Sequence, residues 1–205
     1  MIQRQERPVS NPEAEWLVKA QSGDDEAYSH LVETYQTPVF NLCYRMLGES
    51  GEAEDAAQES FWRAYQSIRR YDQNRPFATW LLSIAAHYCI DQLRKRRYNT
   101  VPLDILPEED APDPAPSPES ISNRREQQQQ MRKLLAVLGP QDRAAIIMRY
   151  WYDFSDEEIA NSLSLTVSAV KSRLHRARLE LARQWQSGQA QVVIAERRKH
   201  ESPAF

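Results

Sequence analysis

The sequence predicts an all-α protein, two small helical domains joined by a flexible acidic linker. Three observations lead there. Glycine occurs only five times in 205 residues, and apolar residues recur at helical spacing with no regular alternating strands. Residues 101–120, VPLDILPEEDAPDPAPSPES, hold six prolines and six acids, with no base and no helical stripe. Near the C-terminus, FSDEEIANSLSLTVSAVKSRLHRARLELAR has the pattern of a helix-turn-helix.

The proline-rich segment sets the organisation. It divides the chain into an N-terminal domain over 12–98 and a C-terminal domain over 121–186, with 99–120 as linker and 187–205 as a disordered tail. Extended at ~3.1 Å per residue, the linker reaches about 60 Å, between one and two turns of B-DNA. Charge is divided as unevenly as the prolines are. The chain has 26 Lys and Arg against 29 Asp and Glu, a net −3, yet six of those acids sit in the linker. The rest of the chain is net basic.

In the N-terminal domain a lead-in helix over 12–22 ends at Gly23–Asp24–Asp25. Ala27 to Leu47 follows with Leu31, Val32, Tyr35, Val39, Leu42, Cys43, Met46 and Leu47 as its apolar set, and Pro38 is expected to kink or interrupt it. Gly48 to Gly51 breaks the chain again. Glu52 to Ile68 is amphipathic, with Ala53, Ala56, Ala57, Ser60, Phe61, Ala64, Tyr65 and Ile68 as its core stripe. Asp55, Glu59, Trp62 and Gln66 share a second face. A tryptophan among carboxylates there fits a protein-partner surface or packing on the lead-in helix.

The loop Arg69 to Pro76, RRYDQNRP, leads into a helix over Phe77–Tyr98. That helix is apolar nearly all round in its first half and closes on Arg94–Lys95–Arg96–Arg97. Trp80, His87, Asp91, Arg94 and Tyr98 lie within about 60° of one another around it, mixing aromatic and basic groups as a nucleic-acid track does. Trp80 also suits the core. Cys43 and Cys89 lie inside apolar patterns, without the pair spacing of a zinc or redox site, and read as small core residues.

In the helix-turn-helix, Ser155 is the expected N-cap, followed by Asp156, Glu157 and Glu158 in the first turn, where the helix dipole favours acids. Ser164–Leu165–Thr166 reads as the turn. Val167, Val170, Leu174, Ala177 and Leu181 make one buried stripe on the second helix. The opposite side carries Ser168, Ala169, Ser172, His175 and Arg176, flanked by Lys171, Arg173 and Arg178. Small polar residues near a helix start, ringed by bases, suit base edges and phosphates.

These segments together resemble an extracytoplasmic-function (ECF, group 4) sigma factor of the sigma-70 family. GEAEDAAQESFWRAYQSI, RPFATWLLSIAAHYCIDQLRKRRY and the helix-turn-helix stand in the family's order over nearly all of 12–186. The resemblance implies a sigma-2 domain and a sigma-4 domain that bind core RNA polymerase and direct it to promoters, without a cofactor or catalytic residues. It places Asp55, Gln58, Glu59, Phe61 and Trp62 against the clamp helices of the polymerase's largest subunit. It makes Tyr71, Asp72, Gln73, Asn74 and Arg75 the specificity loop that captures an unstacked −10 base, with Trp80, His87, Arg94 and Arg97 on the helix that follows the separated strands. It gives Ser168, Lys171, Ser172, Arg173, His175, Arg176 and Arg178 to the −35 element. The acidic linker corresponds to the segment threading the polymerase's RNA path, and an anti-sigma factor is a further partner that the family allows.

Two other classes fit parts of the chain. A helix-turn-helix transcription regulator acting without core polymerase would use the C-terminal half alone and leave FATWLL…RKRR unexplained. A DNA-processing enzyme needs a nucleophile or metal cluster, whereas His30, His87, His175 and His200 are scattered and no carboxylates have ligand spacing. No apolar run is long enough to span a bilayer and the N-terminus lacks a signal-peptide stretch, so a cytoplasmic location without direct membrane insertion is expected.

Overall fold

The computed structural model describes residues 12–99 and 129–200, leaving out the side chains of 97–99 and 188–200. Eight α-helices occur among these residues, with no strand. They are α1 (Pro12–Gln21), α2 (Asp25–Leu47), α3 (Ser50–Ser67), α4 (Phe77–Asn99), α5 (129–136), α6 (Pro140–Trp151), α7 (Asp156–Leu163) and α8 (Val167–His200), with a 3-10 turn at Ile68–Arg70 between α3 and α4. The predicted linker lies almost wholly outside the described residues.

Local chemistry sets the helix ends. Asp24 caps α2 by accepting from the Ala27 amide at 3.0 Å. Gly48 ends α2 at φ 85°, a left-handed conformation that glycine adopts without a Cβ penalty, and its amide closes on the Tyr44 carbonyl. Glu49 then caps α3, accepting from the Gly51 and Glu52 amides. Helix α2 runs through Pro38 without a break, where the sequence predicts a kink or interruption. Packing against α1, α3 and α4 holds the helix across the missing amide bond.

The N-terminal core forms where α2 meets α3 and α4. Leu31, Val39, Leu42, Met46, Leu81 and Leu82 are fully or almost fully buried. Helix α3 contributes Ala53, Ala56, Ala57 and Ala64, small side chains that bring its backbone close to both neighbours. Cys43 and Cys89 are buried free thiols, as the apolar pattern predicts. In the C-terminal half Ile146, Ile147, Met148, Ile159, Val170, Leu174 and Ala177 form the core under α6, α7 and α8.

The two halves pack on each other, with α6 and α7 against α4, and α6 against α2. Arg143 is buried at this junction. Its Nη1 donates to the Met46 carbonyl at 2.5 Å, and its Nη2 donates to the carbonyls of Ala136 and Leu138 at 3.0 and 3.3 Å. Burial lowers its pKa, and the nearby Arg96 charge adds to that. Tyr152 donates from its hydroxyl to the Pro38 carbonyl at 2.6 Å. Arg45 lies over the Trp151 ring, and Arg132 over that of Tyr44.

One expectation is corrected at the C-terminus. Helix α8 continues to His200, so residues 187–200 are helical where the sequence predicts a disordered tail. Apart from Gly188 the run SGQAQVVIAERRKH holds no helix breaker, and good helix formers can propagate a helix already nucleated by packing upstream. Residues 201–205 lie outside the description.

Candidate nucleic-acid interface

The helix-turn-helix is built as its sequence predicts. Ser155 caps α7 in a full capping box. Its hydroxyl accepts from the Glu158 amide at 3.1 Å, and the Glu158 carboxylate accepts from the Ser155 amide at 2.8 Å. Ser164 turns the chain at φ 54°, a left-handed conformation uncommon for a residue with a Cβ, and its amide closes on the Ala160 carbonyl. Thr166 caps α8 by accepting from the Ala169 amide at 3.2 Å. The start of the second helix is thus fixed from both sides.

On α8 the predicted stripe is the buried one, with Val170, Leu174 and Ala177 in the core and Val167 and Leu181 packed at its edge. Ser168, Lys171, Ser172, His175 and Arg176 are exposed on the opposite side. Arg173 and Arg178 stand elsewhere. Arg173 is half-buried and paired with Asp142 of α6 at 2.6 Å, which commits its charge to the fold. Arg178 is exposed, but it borders an apolar groove with Met131, Leu134, Tyr150 and Trp185 and donates to the Leu174 carbonyl at 3.2 Å. Both arginines flank the buried stripe instead of the open face.

The loop after α3 is ordered by its own hydrogen bonds. Asp72 Oδ1 accepts from the Asn74 amide at 3.0 Å and from Asn74 Nδ2 at 2.9 Å. Gln73, Asn74 and Arg75 are exposed. Tyr71 is not. It is buried beneath the loop, donates to the Arg75 carbonyl, and packs its ring on Phe77 and Trp80 with centroids 5.5 and 4.9 Å away. Burial also raises its pKa. Trp80 is half-buried in that aromatic cluster, so only part of its ring is open to solvent. Further along α4, His87 and Arg94 are exposed, His87 meeting the Ser83 carbonyl at 2.9 Å and Arg94 lying 3.7 Å from Asp91. The Arg97 side chain lies outside the described residues. Arg96 reaches back to Glu52 of α3.

The other predicted face is on α3. Asp55 and Gln58 are exposed, and Glu59 is half-exposed and bound to Arg63 at 2.7 Å. Trp62 is 56% exposed and stacks on Tyr65, whose hydroxyl donates to Asp25 at 2.7 Å. Among the described residues Trp62 makes no ring contact with the lead-in helix. Phe61 is half-buried, and its carbonyl accepts from the Tyr28 hydroxyl at 2.6 Å. Two residues escape sequence reasoning altogether. Gln21 reaches from α1 into the loop, and Asp142 captures Arg173. Neither bears a local signal, because their partners lie 31 to 52 residues away.

Comparison with known proteins agrees with this organisation. Residues 31–98 match the family Sigma-70 region 2, and residues 128–181 match Sigma-70, region 4. The ECF RNA polymerase sigma factor SigW of Bacillus subtilis is 34% identical over 181 residues, covering 82% of this chain and 94% of that protein. The RNA polymerase sigma-H factor of Pseudomonas aeruginosa is 30% identical, over 78% of this chain and 86% of its own length. Among solved structures, CnrH in complex with the cytosolic domain of CnrY shares the fold at a TM-score of 0.65 and 21% identity, covering 86% of this chain and 99% of that one. The match to region 2 accounts for the half of the chain that a lone helix-turn-helix regulator leaves unexplained. With both regions present in order, and a relative of this similarity spanning nearly its whole length, the chain belongs to the ECF sigma factors of the sigma-70 family, the proteins that bind RNA polymerase and direct promoter transcription.

Proposed function

We propose that this sigma factor reads the −35 element as duplex with α8 and opens the −10 element with the loop 71–75 and the outer face of α4. The observation that carries the reading is the open face of α8. Ser168, Lys171, Ser172, His175 and Arg176 stand exposed on a helix whose start is fixed by the α7 capping box and the Ser164 turn. Two small hydroxyls at the entering end leave room for base edges, and Lys171, His175 and Arg176 can meet acceptors or phosphates.

The −10 half follows from chemistry. Opening a duplex without ATP requires that unstacked bases gain elsewhere what they lose in the stack, at ~1–3 kcal/mol per stacked base. Gln73 and Asn74 supply exposed hydrogen-bonding groups, Trp80 a half-buried aromatic ring, and His87 and Arg94 the exposed start of a basic track that Arg97 continues in sequence. Tyr71 supports the loop from beneath. Core polymerase is assigned to α3 through Asp55, Gln58, Glu59 and Trp62, its clamp helices being the expected partner, with Phe61 anchoring that surface from the core side. The acidic linker would follow the RNA path, and an anti-sigma factor remains a partner allowed by the family.

Run-off transcription tests the reading. Core polymerase plus the full chain is expected to start transcripts at defined positions, selected from a library of randomised promoters. The reading fails if the chain binds core and no start site is enriched over core alone.

A further inference from the structure

The specificity loop is held by a side chain with no role so far. Gln21 is the last residue of α1, and its Nε2 donates to the carbonyls of Ile68 and Tyr71 at 3.0 and 2.7 Å. Both partners only accept, so the orientation of this amide is fixed, with nitrogen on the loop backbone and Oε1 left to accept. That oxygen takes the amide N–H of Gln73. The Gln73 amide is thereby fixed in turn, its nitrogen held by Gln21 and its Oε1 uncommitted. Asn74 is under a parallel constraint. Its Nδ2 donates to the Asp72 carboxylate, which can only accept, and its Oδ1 is the uncommitted atom. Among the described residues no hydrogen bond engages either oxygen, and both side chains are exposed.

We propose that Gln21 is a positioning residue that makes the loop 71–75 an acceptor-rich pocket, selecting a captured base with an exocyclic amino group over thymine. The inference rests on the reading that this loop takes the unstacked −10 base. Between them the Gln73 and Asn74 amides keep every acceptor lone pair but have one N–H each committed inside the fold. An amino group on adenine, cytosine or guanine carries two hydrogens and can donate to both oxygens. Thymine has one N3–H, placed between two carbonyls that oppose the pocket's own oxygens. Without Gln21 the Gln73 amide is free to turn, and the polarity of the pocket is lost.

The test uses holoenzyme reconstituted from core polymerase and the full chain, transcribing a library with the −10 and −35 regions randomised. Wild type is expected to deplete thymine about tenfold at one −10 position, the scale of one good base contact. Gln21→Ala should flatten that position to within about twofold, leaving preferences at −35 intact. Gln21→Glu should do the same although it is nearly isosteric, since a carboxylate cannot donate to the Ile68 and Tyr71 carbonyls. On synthetic templates, the selected base should lose about tenfold with wild type when replaced by its analogue lacking the amino group, and lose nothing further with Gln21→Ala. Thymine as the selected base overturns the inference, as does a base ranking unchanged in both Gln21 variants, even if their transcription falls uniformly. Should wild type select no base at any −10 position, the assignment of the loop itself fails.

Discussion

Arg176 and Lys171 flank the open face of α8 on opposite sides, and both are exposed. Arg176 has a fork that can bridge two acceptors on a base edge, whereas Lys171 is a point charge suited to a phosphate. Arg176→Ala is therefore expected to cost ~1–3 kcal/mol on the preferred −35 sequence and to relax preference at one or two positions. Lys171→Ala should weaken binding nearly uniformly and lower the salt dependence by about one unit. Binding to a panel of −35 variants over several salt concentrations separates the two, and an equal loss on every variant for Arg176→Ala refutes its role as a reader. Arg173 behaves differently because of Asp142: Arg173→Ala breaks a partly buried pair and should lower thermal stability before it changes specificity.

Tyr152 gives a second prediction at this scale. Burial pushes its phenol up to about 12 from an ordinary 10.0, so the folded chain holds this proton more tightly than the unfolded chain does. Its contribution to stability is whole below pH ~10 and is lost as pH rises towards about 12. Tyr28 and Tyr35 are pushed the same way, burial being the main cause in each. Tyr152→Phe removes only one share of the alkaline loss. Denaturant unfolding should find wild type the more stable by ~1 kcal/mol near pH 8, with the gap closing above pH 10. A gap that stays constant across that range contradicts the assignment.

For the helices, periodicity was a good guide wherever a stripe faces one core. The stripe of α8 is the buried face, and so is that of α3 at Ala53, Ala56, Ala57, Ser60, Ala64 and Ile68. Tyr65, expected in the α3 stripe, is instead exposed beside Trp62, and Phe61 is only half-buried. The Ser155 cap and the turn at Ser164 lie where the local residues put them. Periodicity could not say which flanking polar residues find partners in other helices. Arg173 and Arg178 sit beside the stripe at angles that a wheel alone leaves ambiguous, and Asp142 and the α5–α6 groove decide them. Tyr71 likewise occupies a loop motif that reads as exposed, yet its ring completes the cluster with Phe77 and Trp80. The acidic face of α3 is expected to carry polymerase docking. Asp55 makes no ion pair among those described, while Glu59 already holds Arg63, so Asp55→Lys should weaken core binding more than Glu59→Lys. Pull-down with core polymerase measures this, and unaltered recovery of Asp55→Lys would reject the surface.

Across the whole molecule, the packing of the C-terminal half on α2 and α4 was invisible in the sequence, since its bonds join residues 97 and 114 positions apart. Among the described residues Arg143 has no carboxylate partner there. Its Nη1 and Nη2 donate to three backbone carbonyls, while its Nε is buried without a partner among the described residues. Those carbonyls would lose this donor if the side chain were removed. Arg143→Ala is expected to lower stability by ~2–3 kcal/mol, and to loosen the junction enough for protease to cut there sooner. Unchanged thermal unfolding and unchanged proteolysis would exclude that role.

In the proposed function one chain supplies both a duplex reader and a strand-opening loop. Permanganate reactivity of promoter thymines tests it most directly, comparing reconstituted wild-type holoenzyme with Asn74→Ala on duplex templates and on templates with a pre-melted −10 region. Wild type is expected to give reactive −10 thymines on duplex DNA, with a marked loss for Asn74→Ala on duplex and near-normal signal for the variant once the region is already open. Equal reactivity of the two proteins on duplex, or an equal loss on both templates, would contradict the proposed function.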